Sequence, residues 1–386
     1  MKALENVKIL DFTTLLPGPY ATMVLADFGA EVIKISSKSK HDLVLEAEPK
    51  VEGISQNQLW LNRNKSTISL NLKSKEAVEI VKELAKDADV VVEQFRPGVM
   101  KSLGLSYEDI KKVNPEIIYC SITGYGQDGP MANRAGHDIN FLAKSGILAS
   151  SGRKEEGPVL YSTQLGDLAS GASNAVIGIL LALNYKNKTG KGQYIDISMM
   201  DGLIPLNSLY GNGYLGGGEL PTAEGDFLNG GSCYDFYRTK DDRFISVGSL
   251  EPKFWQIFTK AIDREDLKEK SAYDASIKEE IKSRIKEKTF KEWMDIFNGL
   301  DACVEGVLNL KEVLEDPHTK GRGMVIEFKV KNTTNKQFAN PIKLSKTPAA
   351  YDYPGKEIGE DTEKILKSLK YTDEEIKEMQ ERDVFK

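Results

Sequence analysis

Strand-like and helix-like segments alternate from Val7 to Ile122, and this order constrains the fold more than any other feature of the chain. Val7–Phe12 is a short apolar run, Pro19–Phe28 a helical stretch opened by prolines and stopped at Gly29, and Glu31–Ile35 a second apolar run. Strand, helix and strand in so few residues predict a parallel β-α-β unit, because parallel strands need a crossover. The pattern repeats through Thr67–Leu72, an amphipathic helix over Lys75–Lys86 with Ala77, Val78, Ile80, Val81 and Leu84 on its apolar face, Asp89–Phe95 and Glu116–Ile122. The predicted class is α/β, a Rossmann-like, doubly wound parallel sheet whose ligand lies beyond the carboxyl ends of the strands. The loops after Phe12, Ile35, Phe95 and Ile122 are therefore the places to look.

With 386 residues the chain exceeds what one small core absorbs, so two lobes are expected. We read a large domain over residues 1–210, completed by about 330–386 from the C-terminus, a smaller α+β domain over 225–325, and a glycine-rich linker over 211–231. Small residues crowd the helix that begins near Asp167, charged helical sequence fills Pro252–Asp301, and a charged helix over Gly359–Arg382 ends the pattern. A net charge of −6 argues against a nucleic-acid-binding surface. The three cysteines and three histidines are scattered, so no zinc or disulfide framework is expected and no metal is called for. The apolar run Ala175–Leu183 is far shorter than the ~20 residues that span a bilayer. No membrane span is expected, and without a secretory pattern at its start the chain is assigned to the cytoplasm.

No Gly-x-Gly-x-x-Gly or P-loop is present, which removes the usual dinucleotide and nucleotide readings. His137, in Gly136-His-Asp138, is the one histidine flanked by both a glycine and a carboxylate. It reads as a general acid or base, or as an incidental residue beside a capping aspartate. Asp167 precedes an apolar helix and reads as an N-cap, a catalytic carboxylate, or both. Glu251 closes a strand ahead of Pro252 and by itself reads as a helix-start acid. Lys34, Lys38, Arg63, Lys65, Arg96 and Lys101 sit near predicted strand or helix ends and are candidates for phosphate contact, with Arg96 best fixed by its strand terminus.

In order along the chain, Leu16-Pro-Gly-Pro-Tyr20, Ala26-Asp-Phe-Gly-Ala-Glu-Val-Ile-Lys34, Glu93-Gln-Phe-Arg-Pro-Gly-Val99, Thr123-Gly-Tyr-Gly-Gln-Asp-Gly-Pro130 and Thr189-Gly-Lys-Gly-Gln193 together resemble the family III CoA-transferase superfamily. Gly136-His-Asp-Ile-Asn140, Val247-Gly-Ser-Leu-Glu-Pro252 and Asp301-Ala-Cys-Val304 resemble its α-methylacyl-CoA racemase branch. The resemblance implies two lobes in an interlocked homodimer and coenzyme A held as part of an acyl thioester, with no further cofactor. It places coenzyme A against Pro17, Lys38, Arg63, Lys65, Gln94, Phe95, Arg96 and Lys101, with Gly136 and Asp138 beside the thioester arm. It assigns catalysis to His137 and Asp167, supported by Glu251; on physical grounds the enolate oxygen is expected to meet backbone amides near the start of the Asp167 helix. The implied reaction is inversion of the α-carbon of a 2-methylacyl-CoA. A transferase reading uses Asp167 as a nucleophile that forms a mixed anhydride and passes CoA to a carboxylic acid. A non-catalytic acyl-CoA-binding protein is the third reading.

Overall fold

The computed structural model describes residues 1–37, 39 and 41–385. Lys38 lies outside the described residues, so its expected phosphate contact has no structural account. The fold is mixed α/β and contains a six-stranded sheet, all of it parallel. Its strands are β1 (Lys8–Asp11), β2 (Glu31–Ser36), β3 (Lys65–Ser69), β4 (Val90–Glu93), β5 (Ile118–Thr123) and β6 (Tyr194–Ser198), in the spatial order β3-β2-β1-β4-β5-β6. The order reverses between β1 and β4, which is where a doubly wound sheet opens a ligand crevice. Strands β4 and β5 are buried along their whole length, which explains why they read as unbroken apolar runs.

Helix α1 (Pro17–Asp27) follows β1, and α2 (Lys75–Lys86) packs Ala77, Ile80, Val81 and Ala85 into the core. Helix α3 (Asp138–Ser145) starts directly after His137. A wide, π-type segment over Gly166–Ala172 continues into α4 (Ser173–Thr189). This continuous stretch is long and apolar enough, by length and composition, to cross a bilayer. Its Ala175, Ile179, Ala182 and Leu183 are buried, and the helix packs on β5 as a core helix does.

The chain divides into two compact units. The first comprises residues 1–144, 162–204 and 322–386 and holds the sheet. In it Arg63 and Lys65, expected at a phosphate, are instead internal. The Arg63 guanidinium is fully buried, forks onto Asp27 at 2.8 and 2.7 Å and donates to the Phe338 carbonyl at 2.6 Å. Lys65 Nζ donates to Asp11, Pro19 O, Thr22 and Asn62 at 2.8–3.1 Å. Burial outweighs these partners and lowers the Lys65 ammonium to about 8. Lys34 is buried as well, paired with Asp11 at 3.2 Å. A cation so enclosed is spent on its buried partner, whose charge would otherwise be uncompensated.

The second unit comprises residues 145–161 and 205–321. Its sheet is β7 (Asp235–Arg238), β8 (Phe244–Val247) and β9 (Val304–Gly306), antiparallel, with Tyr237, Ile245, Trp255, Phe258 and Trp293 at the core. The boundaries differ from those expected. Arg153 bridges Asp235 at 2.6 Å and Glu224 at 2.9 Å, which ties 145–161 to this unit. Residues 211–231 are part of its body: Ser208–Leu215 is helical, Glu224 takes that ion pair, and the buried Lys278 ammonium donates to the Gly230 carbonyl. The charged C-terminal stretch forms two helices, α7 (Thr362–Ser368) and α8 (Asp373–Glu381), parted near Lys370 with its positive φ; between α4 and these lie α5 (Pro252–Ala261) and α6 (Phe290–Phe297).

Candidate active site

Segments that leave the sheet at its carboxyl edge enclose a cavity of about 320 Å³. Leu15 comes from the β1–α1 loop and Pro17 opens α1, Gln94–Pro97 follow β4, Thr123 ends β5 with Gly124 after it, and Met199 follows β6. Arg134, Gly136, His137 and Phe141 enter from the approach to α3, and Asp167 from the start of the π-type segment. The cavity thus straddles the switch point between β1 and β4.

Two loops are locked together at the switch point. Leu16 provides no side-chain cap for α1, and Pro17 has no N–H to leave unpaired. The Gly18 amide donates to Gln94 Oε1 at 3.0 Å, so a residue after β4 caps a helix after β1. A Cβ on Gly18 would meet Thr13 Cβ at 2.2 Å, which fixes glycine there. Behind Gln94, the buried Glu93 carboxylate accepts the Phe95 amide at 2.7 Å, and burial raises that acid to about 7.

His137 is exposed and ends a tightly bonded turn. Its amide donates to Asn140 Oδ1 at 3.0 Å, and its carbonyl accepts from the amides of Asn140 and Phe141 at 2.8 and 3.3 Å. Phe141 is buried, with its ring edge-on to Tyr125, and Gly136 leaves it room: a Cβ there would meet Phe141 at 2.7 Å and the Tyr125 hydroxyl at 2.8 Å.

Asp167 stands one residue inside the start of its helix, after Gly166, and not at the N-cap. Its amide donates to Asp138 Oδ1 at 2.9 Å. The amides near Asp167, expected to face an enolate oxygen, are therefore engaged: that of Asp167 by Asp138, and that of Leu168 by the Gln164 carbonyl at 2.9 Å. Asp138 acts as the clamp between two helix starts. Burial raises its carboxyl, and the amides of Asp167 and Gly166 work against that rise. Burial, with the Asp138 charge second, raises the Asp167 carboxyl to about 7. A carboxyl raised in this way is a candidate for proton exchange near neutral pH.

The remaining candidates are distributed as follows. Pro17, Gln94, Phe95, Arg96, Gly136, His137 and Asp167 share the cavity. Asp138 is one bond behind it, Lys101 is exposed on a short helix outside the lining, and Glu251 belongs to the second unit, exposed at the N-cap of α5 with no side-chain cap bond. The lining also includes Thr123, Arg134, Phe141 and Met199, which were not among the candidate site residues. Thr123 ends its strand one residue beyond the expected boundary at Ile122, at the position directly after it where the strand-end rule already pointed.

The cavity at the switch point of this parallel sheet brings one histidine together with one carboxyl raised to about 7, in a chain that has neither a P-loop nor a Gly-x-Gly-x-x-Gly. Residues 4–362 match the CoA-transferase family III, and the chain belongs to that family. It is 35% identical to human alpha-methylacyl-CoA racemase over 384 residues, covering 97% of this chain and 95% of the racemase. It is 36% identical to human succinyl-CoA:glutarate CoA-transferase over 391 residues, 98% of this chain and 89% of the transferase. A CAIB/BAIF family protein from Brucella suis superposes with a TM-score of 0.85 at 25% identity, covering 95% of this chain and 99% of that one.

Proposed function

We propose that this enzyme is an acyl-CoA racemase or epimerase that inverts the α-carbon of 2-methylacyl-CoA thioesters by 1,1-proton transfer through an enolate. The observation that carries the reading is the pairing of His137 with Asp167 in one cavity, with the carboxyl raised to about 7. His137 takes the proton from C2, the electron pair moves into the thioester carbonyl, and protonated Asp167 returns a proton to the opposite face. Turnover from the other enantiomer uses the same groups in the reverse ionisation states. A carboxyl that is substantially protonated near neutrality suits this exchange better than it suits nucleophilic attack, which needs the anion. Coenzyme A enters as part of the substrate, with Arg96 and Gln94-Phe95 on its side of the cavity, and no other cofactor takes part. Glu251 is the proposed supporting acid. We further propose a two-lobed homodimer, and the exposed Ile177, Leu181 and Tyr185 on α4 supply an apolar face for such an association.

Transferase chemistry is the second reading, favoured by the near-equal identity to succinyl-CoA:glutarate CoA-transferase and by the glycine before Asp167. There the Asp167 carboxylate attacks the thioester carbonyl, expels the CoA thiolate and forms a mixed anhydride before CoA passes to an acid. The test is incubation with each enantiomer of a 2-methylacyl-CoA in deuterated water, repeated with a free carboxylic acid present. Deuterium at C2 with loss of optical purity is the expected result, and His137→Ala abolishes exchange from one enantiomer with the fold intact. Acid-dependent movement of CoA, with hydroxylamine trapping an acyl group on Asp167 and no deuterium at C2, overturns it.

A further inference from the structure

Thr123 is the last residue of β5, is only 7% exposed and lines the cavity that holds His137 and Asp167. Its hydroxyl is one of three buried side-chain polar atoms with no hydrogen-bond partner among the described residues. Buried hydroxyls ordinarily find a partner, because an unmade bond in a low-dielectric site leaves the desolvation penalty uncompensated. The other two such atoms, Trp60 Nε1 and Gln127 Nε2, belong to residues outside the cavity lining. Thr123 alone combines the missing partner with a place in the site.

The neighbouring amides sharpen the point. The expected oxyanion donors near Asp167 are committed to Asp138 and Gln164, the Gly18 amide to Gln94, and the Leu15 amide to Asp42 at 2.8 Å. A thioester whose α-carbon loses a proton builds negative charge on its carbonyl oxygen, and a fixed donor at that oxygen lowers the barrier. We propose that the Thr123 hydroxyl is that donor: it hydrogen-bonds the thioester oxygen and strengthens this bond as the enolate forms. The hydroxyl retains its proton throughout. The assignment rests on the enolate chemistry proposed above, while its test does not require racemisation to occur.

Acetoacetyl-CoA supplies the probe, because its enolate has its own ultraviolet band and forms without turnover. Wild type is expected to raise the enolate fraction on binding, Thr123→Val to reduce that gain by about tenfold in the enol–enolate equilibrium, and Thr123→Ser to restore it. Thr123→Val is isosteric, so a hydroxyl that waits for ligand leaves the free protein's melting temperature unchanged or higher when it is removed. The matching kinetic result is a fall in kcat for C2 deuterium exchange with little change in KM. An equal enolate band in wild type and Thr123→Val overturns the assignment, as does a lowered melting temperature with unchanged exchange, since that marks a structural hydroxyl. A hydroxyl-dependent enolate band in a protein that exchanges no deuterium from 2-methylacyl-CoA leaves Thr123 in place and refutes the racemase reading instead.

Discussion

Replacing Asp167 by asparagine removes a carboxyl that folding holds in its protonated form, so the variant is expected to be more stable than wild type at alkaline pH. Raising that carboxyl from 3.8 to about 7 corresponds to about 4 kcal/mol against the ionised form in the folded state. Asp167 retains some contact with solvent, which screens part of this, so ~2–4 kcal/mol is the working range. Below the unfolded value, near pH 4, both states of the wild type are protonated and the two proteins differ little. As pH rises toward 7 the unfolded chain ionises while the folded site stays protonated, so folding takes up a proton and wild-type stability declines. Above 7 both states are ionised and the full penalty is present. Urea unfolding at about pH 4.5 and about pH 8 measures the gap, which should be small at the lower pH and favour Asp167→Asn at the higher. The amide from residue 167 to Asp138 is backbone and survives the substitution, so the comparison isolates the carboxyl. A gap that is the same at both pH values, or a variant that is weaker at pH 8, refutes the burial argument.

The buried position of Arg63 predicts a stability phenotype and not an affinity one. Arg63→Met leaves Asp27 buried without its fork and should cost about 3–5 kcal/mol in urea unfolding, while calorimetry on the folded fraction finds CoA affinity unchanged; weakened CoA binding at unchanged stability would return Arg63 to the ligand. Gly166→Ala puts a Cβ at 2.9 Å from Asp138 Oδ1 and 3.3 Å from Leu203 Cδ1. Despite a gain in helix propensity of up to ~1 kcal/mol, it should destabilise by roughly 1–3 kcal/mol and slow C2 exchange by about tenfold, read by thermal melting and mass spectrometry.

The parallel sheet was legible because strands covered on both faces must be apolar throughout, and Val90–Glu93 and Ile118–Thr123 are. The strand-end rule also found most of the cavity, since the loops after Phe12, Phe95 and Ile122 all contribute to it. Buried charge was not legible. Lys65 opens β3 because Asp11 awaits it across the sheet, and Arg63 is internal because Asp27 faces it; a lysine or arginine near a strand end looks solvated until its distant partner is known. The Asp138 clamp escaped for the same reason, being a bond across 29 residues between two helix starts, either of which could have capped itself. The second unit's boundary was misplaced because glycine content suggests a tether, whereas Arg153 and Lys278 bind the glycine-rich stretch into the body. Spacing alone left His137 and Asp167 as separate residues; the family resemblance joined them in one site, and the two line one cavity in the fold.

The π-type segment over Gly166–Ala172 makes helix type a determinant of where Asp167 points. In an ordinary α-helix each residue turns the chain by about 100°. Tightening the same residues into the α-helix that Ser173 continues would change the accumulated turn by roughly one such step, about 100°, and swing Asp167 away relative to the buried face of α4. The carboxyl would leave the cavity with its own sequence neighbours untouched. The wide turn between Asp167 and Ser173 is therefore as strict a requirement on where the carboxyl points as the aspartate's identity is on its chemistry.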